Sequence, residues 1–154
     1  MQRLSVLVLE SNESRRERIA KALEQLGVFR VWRASTADAA LAMLRETPCV
    51  DIAVCGLAPG HLEALALAGH ENRLEGLVLI DEHCDLHRQT RRLAQVGRLQ
   101  ILGCVSLPFK AYELAQAIGN FSESRRSYEA MLPTRDESPR VLWRPFRLSQ
   151  AAMA

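Results

Sequence analysis

Short apolar runs recur along the chain as far as residue 121, and a polar or amphipathic stretch follows each of them. Short apolar runs bounded by turn residues predict buried strands. The predicted strands span residues 4–9, 28–33, 51–55, 74–80 and 101–105. The predicted helices that follow them span residues 15–26, 36–46, 61–69, 83–96 and 110–120.

The helix predicted over residues 15–26 has the clearest periodicity. Ile19, Leu23 and Leu26 recur at i, i+4 and i+7, whereas arginine and glutamate residues occupy the other positions. That spacing places the apolar side chains on one stripe of a helix. Gly27 predicts the helix end, because glycine readily adopts the left-handed backbone found there.

Strands that alternate with helices predict an α/β fold whose parallel sheet is covered on both faces. Connections between parallel strands are right-handed, so few topologies remain. We predict a doubly wound, five-stranded parallel sheet in the order 2-1-3-4-5. Ligand sites in such sheets lie beyond the carboxyl ends of the strands. The loop from Gly56 to Gly60 is therefore the first place to look for function.

The pattern changes after Phe121. We predict a domain over residues 1–121 and a C-terminal extension over residues 122–154. The extension contains a helical pattern over 122–132, a linker over 133–140 and an apolar-basic segment over 141–148. Trp143 and Phe146 give that segment the aromatic character of interface hot spots. The alternatives are that the segment packs against its own domain, is exchanged between the two copies of a dimer, or is remnant linker; we rank self-packing or exchange ahead of an external partner.

Composition indicates a globular protein. The chain has 154 residues, of which 48% are hydrophobic and 25% charged, which suits one domain with a real core. The sequence has no apolar run near the roughly 20 residues that span a bilayer and no signal-peptide pattern. We therefore expect a cytoplasmic protein that does not bind membranes. The net charge of +2 gives no argument for nucleic acid, and a DNA-binding function ranks last.

Cysteine and histidine spacing predicts no metal site, cofactor or disulfide. The cysteines are Cys49, Cys55, Cys84 and Cys104, without a C-x-x-C pair. Cys55 and Cys104 lie in apolar runs, where a free cysteine usually serves as a small hydrophobe. The histidines are His61, His70, His83 and His87, and only the last two share a helical i, i+4 spacing. We expect these two histidines to be surface residues rather than metal ligands.

Three stretches resemble the receiver domain of bacterial response regulators. They are residues 7–11 (LVLES), 51–57 (DIAVCGL) and 107–109 (LPF). With the order of the five βα units, the resemblance covers about residues 4–121. It implies the flavodoxin/CheY-like three-layer sandwich. It is nearest to receivers that precede cyclic-di-GMP phosphodiesterase domains, although the sequence does not contain such a domain.

The resemblance implies that the phosphoryl chemistry of the family is missing here. Receiver domains accept a phosphoryl group on their own aspartate at the end of the third strand. The resemblance places Gly56 at that position. The acidic pair that holds a divalent cation corresponds to Glu10 and Ser11, which supply one carboxylate. Since Mg²⁺ is usually bound by carboxylates together with phosphate oxygens, we expect no stable Mg²⁺ site. We interpret Glu10 as a solvated carboxylate or a helix N-cap partner.

The remaining positions of the family pattern also differ. The hydroxyl residue after the fourth strand corresponds to Ile80, or to Asp81 if the alignment slips by one residue. The lysine before the Pro-Phe pair corresponds to Leu107, and the aromatic switch position to Cys104. The resemblance implies a cis peptide bond before Pro108.

These replacements predict a non-enzymatic, atypical response-regulator receiver in two-component or phosphorelay signalling that acts as a phosphorylation-independent protein-interaction module. The family binds partners through the face built from helix four, strand five and helix five. The candidates on that face are Arg88, Arg91, Arg92, Cys104 and Tyr112. We expect a protein partner from a signalling system and a homodimer. The alternative is a small-ligand sensor that uses the space left by Gly56.

Overall fold

The computed structural model describes residues 3–47, 49–82 and 88–130. In these residues the chain alternates strands with helices, as predicted. The strands are β1 Ser5–Leu9, β2 Arg30–Ala34, β3 Ile52–Gly56, β4 Gly76–Asp81 and β5 Gln100–Ser106. The helices are α1 Glu13–Gln25, α2 Ala37–Glu46, α3 His61–His70, α4 Arg88–Val96 and α5 Ala111–Ala130.

The strands form one parallel sheet in the order β2-β1-β3-β4-β5. The predicted fold class and strand order are therefore confirmed. The register places Leu9 beside Cys55 and Gly56 beside Ile80. It also places Asp81 at the end of β4 beside Ser106 at the end of β5. The carboxyl ends of β1, β3, β4 and β5 consequently lie next to one another at one end of the sheet.

Two hydrophobic clusters cover the two faces of the sheet. Val8 on β1 belongs to the cluster that α1 and α5 complete with Ile19 and Leu114. Leu7, its neighbour on the strand, belongs to the cluster that α2, α3 and α4 complete. Successive side chains of a strand point to opposite faces. Both faces of the central strands β1, β3 and β4 are buried, so these strands consist of nearly continuous apolar runs.

Helix α1 begins two residues earlier than predicted. Asn12 is its N-cap, and the Asn12 side chain accepts a hydrogen bond from the backbone N–H of Arg15 at 2.9 Å. Glu13 provides a negative charge in the first turn, where the helix dipole favours one.

Strand β2 begins at Arg30 rather than at residue 28, because Val28 belongs to the end of α1. The N–H of Val28 donates to the carbonyl of Leu23 at 3.2 Å, and the N–H of Gly27 donates to that of Glu24 at 3.1 Å. Gly27 has a φ of 86°. These bonds and this backbone define a Schellman motif. The apolar character of Val28 thus serves helix termination and not strand pairing.

Helix α5 continues to Ala130, beyond the end predicted at residue 120. It joins the helical pattern of residues 122–132 to the last helix of the domain. The Asn120 side chain donates to the carbonyl of Leu102 at 3.1 Å, which ties the middle of α5 to β5. The predicted linker and the segment containing Trp143 and Phe146 lie outside the described residues.

The expectation of no disulfide is wrong for Cys104, which is disulfide-bonded. Cys49 and Cys55 are free, and Cys84 lies outside the described residues. Sequence spacing identifies pairs close together in the chain. It carries no information on cysteines that the fold brings together from distant positions.

Candidate functional site

The candidate site lies where the carboxyl ends of β1, β3, β4 and β5 meet. Glu10 directly follows β1, and Gly56 is the last residue of β3. Backbone hydrogen bonds join the strand ends: Leu57 N donates to Ile80 O at 3.3 Å, and Leu107 N to Asp81 O at 3.2 Å. We call Glu10, Gly56, Leu57, Ile80, Asp81, Leu107 and Pro108 the strand-end site. The structure therefore brings together most of the positions that the sequence singled out.

The carboxyl group of Glu10 occupies the space in front of Gly56. A Cβ atom added to Gly56 would lie 2.9 Å from the carboxyl carbon of Glu10 and closer still to Oε1. Real Cβ atoms essentially never approach other atoms so closely. Any side chain at position 56 would therefore require Glu10 to move. The space that the sequence left for a small ligand is filled by the protein itself.

Glu10 is buried, with 4% of its surface exposed. Its Oε2 accepts a hydrogen bond from the backbone N–H of Asn12 at 2.9 Å. Its Oε1 lies 3.5 Å from the guanidinium of Arg15, an ion pair without hydrogen-bond geometry. The interpretation of Glu10 as a solvated carboxylate is wrong. Its role beside the N-cap of α1 is confirmed.

Two further contacts fix the backbone at Glu10. Its N–H donates to the carbonyl of Ala34 at 3.1 Å, and its carbonyl accepts from the guanidinium of Arg16 at 2.9 Å. Ser11, the other residue of the predicted acidic-pair position, is exposed. A single carboxylate therefore faces the site from the end of β1.

The β4 and β5 side of the site is apolar except for one carboxylate. Ile80 is 1% exposed and packs in the cluster beneath α1 and α5. Asp81 is half-buried and accepts a hydrogen bond from the N–H of Glu82 at 2.8 Å. Leu107 packs against the same cluster as Ile80. The Leu107–Pro108 peptide bond is cis, as expected.

Cys55 points away from the strand-end site. It is fully buried in the cluster beneath α2, α3 and α4, on the face opposite to that of Gly56. Burial raises the pKa of the Cys55 thiol, and the nearby charges of Glu10 and Glu63 raise it further. Since the thiolate is the reactive form, Cys55 is a core residue and not a nucleophile.

His61 contacts the site, although no motif in the sequence indicated that it would. It is the first residue of α3 and is 4% exposed. Its Nδ1 lies 2.7 Å from the carbonyl oxygen of Gly56. A carbonyl oxygen only accepts hydrogen bonds, so Nδ1 carries the proton. Its position directly after a Pro-Gly loop was the one available signal.

The chemistry that the strand-end site supports is limited. Among the described residues, no group of three or more histidine, cysteine, aspartate or glutamate side chains is arranged to hold a metal ion. His83 and His87 lie outside those residues.

In the part of the chain that the structure describes, no helix is long and apolar enough to cross a membrane.

The predicted interaction residues lie on one side of the molecule, on α4, β5 and α5. Arg88, Arg91 and Arg92 are exposed on α4. Tyr112 on α5 is 65% exposed. Cys104 on β5 is half-buried. The three arginines and Tyr112 are thus accessible, and we call this side of the molecule the α4-β5-α5 face.

The fold is similar to that of solved receiver domains. Chemotaxis protein CheY4 from Vibrio cholerae matches with a TM-score of 0.63 at 15% identity, over 77% of this chain and 98% of that chain. The receiver domain of a modulated diguanylate cyclase from Desulfovibrio desulfuricans G20 matches with a TM-score of 0.61 at 19% identity, over 77% and 92%. The receiver domain of an HD domain-containing protein from Pseudomonas fluorescens Pf-5 matches with a TM-score of 0.62 at 20% identity, over 82% and 99%.

No protein-family model and no curated protein sequence matches the chain. The structural likeness nevertheless spans nearly the whole length of the solved domains. The expected CheY-like receiver fold is therefore confirmed, whereas fold alone does not assign an activity.

Proposed function

We propose that this chain is a receiver-like signalling module that binds protein partners without being phosphorylated at Gly56. The observation that carries the proposal is the carboxyl group of Glu10 in front of Gly56. By the resemblance to receivers, that volume belongs to the acceptor aspartate. A glycine offers no nucleophile, and the carboxyl group of Glu10 would have to move before a phosphoryl group could lie there.

The charges around the site support the same proposal. A phosphoryl group adds nearly two negative charges, and at Gly56 it would meet the carboxylate of Glu10. Leu107 stands where the family pattern has a lysine, so a cation is not supplied from that position. Like charges at such short distances repel strongly when water is excluded. Both the nucleophile and the electrostatic support for phosphorylation are replaced.

Binding would take place on the α4-β5-α5 face. Arginine and tyrosine are enriched at interface hot spots, and the exposed side chains of Arg91 and Tyr112 supply both types. Two-component signalling is the setting that the receiver fold suggests. A protein from such a system and a second copy of this chain are the partners we propose.

The small-ligand alternative loses its main support in this arrangement. It depended on free volume beside Gly56, and the Glu10 carboxyl occupies that volume. Ligand sites are concave pockets that bury most of the ligand. The interaction module is therefore the function that the geometry supports best.

Incubation of the full chain with radiolabelled acetyl phosphate and Mg²⁺ tests the proposal. We expect no stable incorporation of phosphoryl, whereas a phosphorylatable receiver domain treated in parallel becomes labelled. The variants Glu10→Gln and Asp81→Asn extend the test to the remaining carboxylates of the site. Stable labelling of the native chain that either variant abolishes would contradict the proposal.

A further inference from the structure

The open edge of the sheet at β2 carries a row of alternating arginine and aromatic side chains. Among the residues that the structure describes, strand β2 pairs only with β1 and is the last strand on its side of the sheet. Phe29, directly before β2, is 53% exposed. We call Arg3, Phe29, Arg30 and Trp32, together with the outer backbone of β2, the β2 edge.

Cation–π contacts connect these side chains into one platform. The guanidinium of Arg3 lies 5.0 Å from the ring centre of Phe29. The guanidinium of Arg30 lies 5.8 Å from Phe29 and 5.7 Å from Trp32. Stacking of this kind holds flexible arginine side chains in place, so less entropy is lost when they bind a partner.

The positive charge of the platform is not neutralised by ion pairs within the described residues. Arg33, on the opposite face of β2, pairs with Glu17 at 3.1 Å and with Glu24 at 3.5 Å on α1. In contrast, the structure records no ion pair for Arg3 or Arg30 among the residues it describes. On one face of the edge Arg33 is therefore paired with two glutamates, whereas the other face presents two cations.

The backbone of β2 also has hydrogen-bonding groups on its outer side. The N–H of Arg30 donates to the carbonyl of Leu4, and the carbonyl of Ala34 accepts from the N–H of Glu10. In a parallel ladder the residues alternate in which neighbour they bond to. The N–H and carbonyl groups of Val31 and Arg33 consequently point to the open edge.

We propose that the β2 edge binds an extended acidic segment of a partner protein, which pairs with β2 as an additional strand. Extended segments commonly add to open sheet edges in this way. The main-chain groups of Val31 and Arg33 supply the pairing. The cations of Arg3 and Arg30 select for carboxylates, and the aromatic rings supply apolar contact.

A second copy of this chain fits the β2 edge less well. Pairing two β2 strands would bring the two unneutralised arginine sets together, and like charges on paired strands are destabilising. Nucleic acid also fits less well, because the net charge of the whole chain is only +2 and nucleic-acid binding relies on a strong positive field.

The two faces of β2 predict the pattern of the bound segment. Side chains of an added strand alternate between the faces. Those on the Arg30 face would meet cations, whereas those on the Arg33 face would meet the acidic residues Glu17 and Glu24. The preferred segment therefore alternates carboxylate residues with neutral ones.

Fluorescence anisotropy with a short labelled peptide that alternates glutamate and threonine tests this inference on the full chain. We expect saturable binding that weakens as salt increases, because screening reduces the attraction between charges. The same peptide with lysine in place of glutamate, and a version N-methylated at alternate residues, should not bind. An oligothymidylate of similar charge serves as the nucleic-acid comparison.

Two variants separate charge from backbone pairing. Arg30→Glu reverses one cation, and Val31→Pro removes an outward N–H without changing the side chain at Arg30. We expect each to weaken peptide binding by about tenfold or more. Lys110→Glu, an exposed charge reversal just after β5 on the far side of the sheet, is the matched control and should leave binding unchanged. Circular dichroism verifies that each variant is folded.

Several outcomes would overturn the inference. One is that the glutamate peptide fails to bind at the highest soluble concentration. Another is that Arg30→Glu, folded and intact, binds as tightly as the native chain. Binding of the lysine peptide or of the oligothymidylate with equal or greater affinity would assign the edge to a different partner.

Discussion

At the scale of single residues, Glu10 and Gly56 form a complementary pair. The carboxyl group of Glu10 fills the space that a side chain at position 56 would need. A buried carboxylate without partners is unfavourable, and here the N–H of Asn12 and the guanidinium of Arg15 compensate for the burial. The strand-end site is therefore a packed and charge-compensated part of the fold.

Introducing an aspartate at position 56 should destabilise the protein. We expect Gly56→Asp to lower the free energy of unfolding by about 2 kcal/mol, because overpacking and carboxylate repulsion act together. Adding Glu10→Ala to Gly56→Asp should recover part of that loss, since the space becomes free. Urea unfolding of the two single variants and the double variant measures the coupling between the positions.

Gly119→Asp is the matched control for that experiment. A Cβ added to Gly119 has no atom within 4 Å, so the same chemical change should have little effect there. Strictly additive effects of Glu10→Ala and Gly56→Asp would show that the two side chains do not compete for one space.

At the scale of secondary-structure elements, the start of α1 is joined to the strand-end site. Glu10 accepts from the N–H of Asn12, and the side chain of Asn12 accepts from the N–H of Arg15. The residue that caps the helix thus also holds the buried carboxylate. A change at the cap should be detected at Gly56.

Replacing the cap residue tests this connection. We expect Asn12→Ala to lower the free energy of unfolding by about 1 kcal/mol, the usual effect of losing an N-cap, and Asn12→Asp to preserve most of it. Thr36→Ala removes the corresponding cap of α2, whose side chain accepts from Ala39 N at 3.1 Å. Backbone amide shifts measured by NMR should change at Gly56 for Asn12→Ala but not for Thr36→Ala. Equal shifts at Gly56 from both variants would contradict the connection.

A helix or strand could be predicted from the sequence where a single local pattern determines it. Continuous apolar runs identified the strands because both sheet faces are buried. The limits of β2 were not predictable, since Val28 is apolar whether it enters a strand or completes a Schellman motif. The burial of Glu10 was not predictable either, because it depends on Gly56, which lies on a different strand. His61 and Cys104 likewise depend on contacts between residues far apart in the chain.

At the scale of the whole molecule, the two proposed binding surfaces lie at opposite sides of the sheet. The strand order places β2 at one edge and β5 at the other, with three strands between them. Partners on the β2 edge and on the α4-β5-α5 face would therefore not compete for space. This arrangement suits a protein that connects two partners rather than one that switches between them.

Self-association should depend on the α4-β5-α5 face. We expect light scattering coupled to size exclusion to show a dimer for the full chain. The single variants Arg91→Glu and Tyr112→Ala should each be monomeric, because both side chains are exposed on that face. Lys21→Glu should remain a dimer, as should the native chain with Mg²⁺ and a beryllofluoride phosphate mimic. A native chain that is monomeric at every concentration tested would contradict the proposed homodimer.

The packing of Glu10 against Gly56 also limits how positions 10 and 56 can change during evolution. A descendant that acquired aspartate at position 56 while it kept Glu10 would lose stability. A descendant that first shortened Glu10 would open a gap beside Gly56 and free Arg15 from its ion pair. Each single step therefore costs stability, so a change at one of the two positions favours a compensating change at the other.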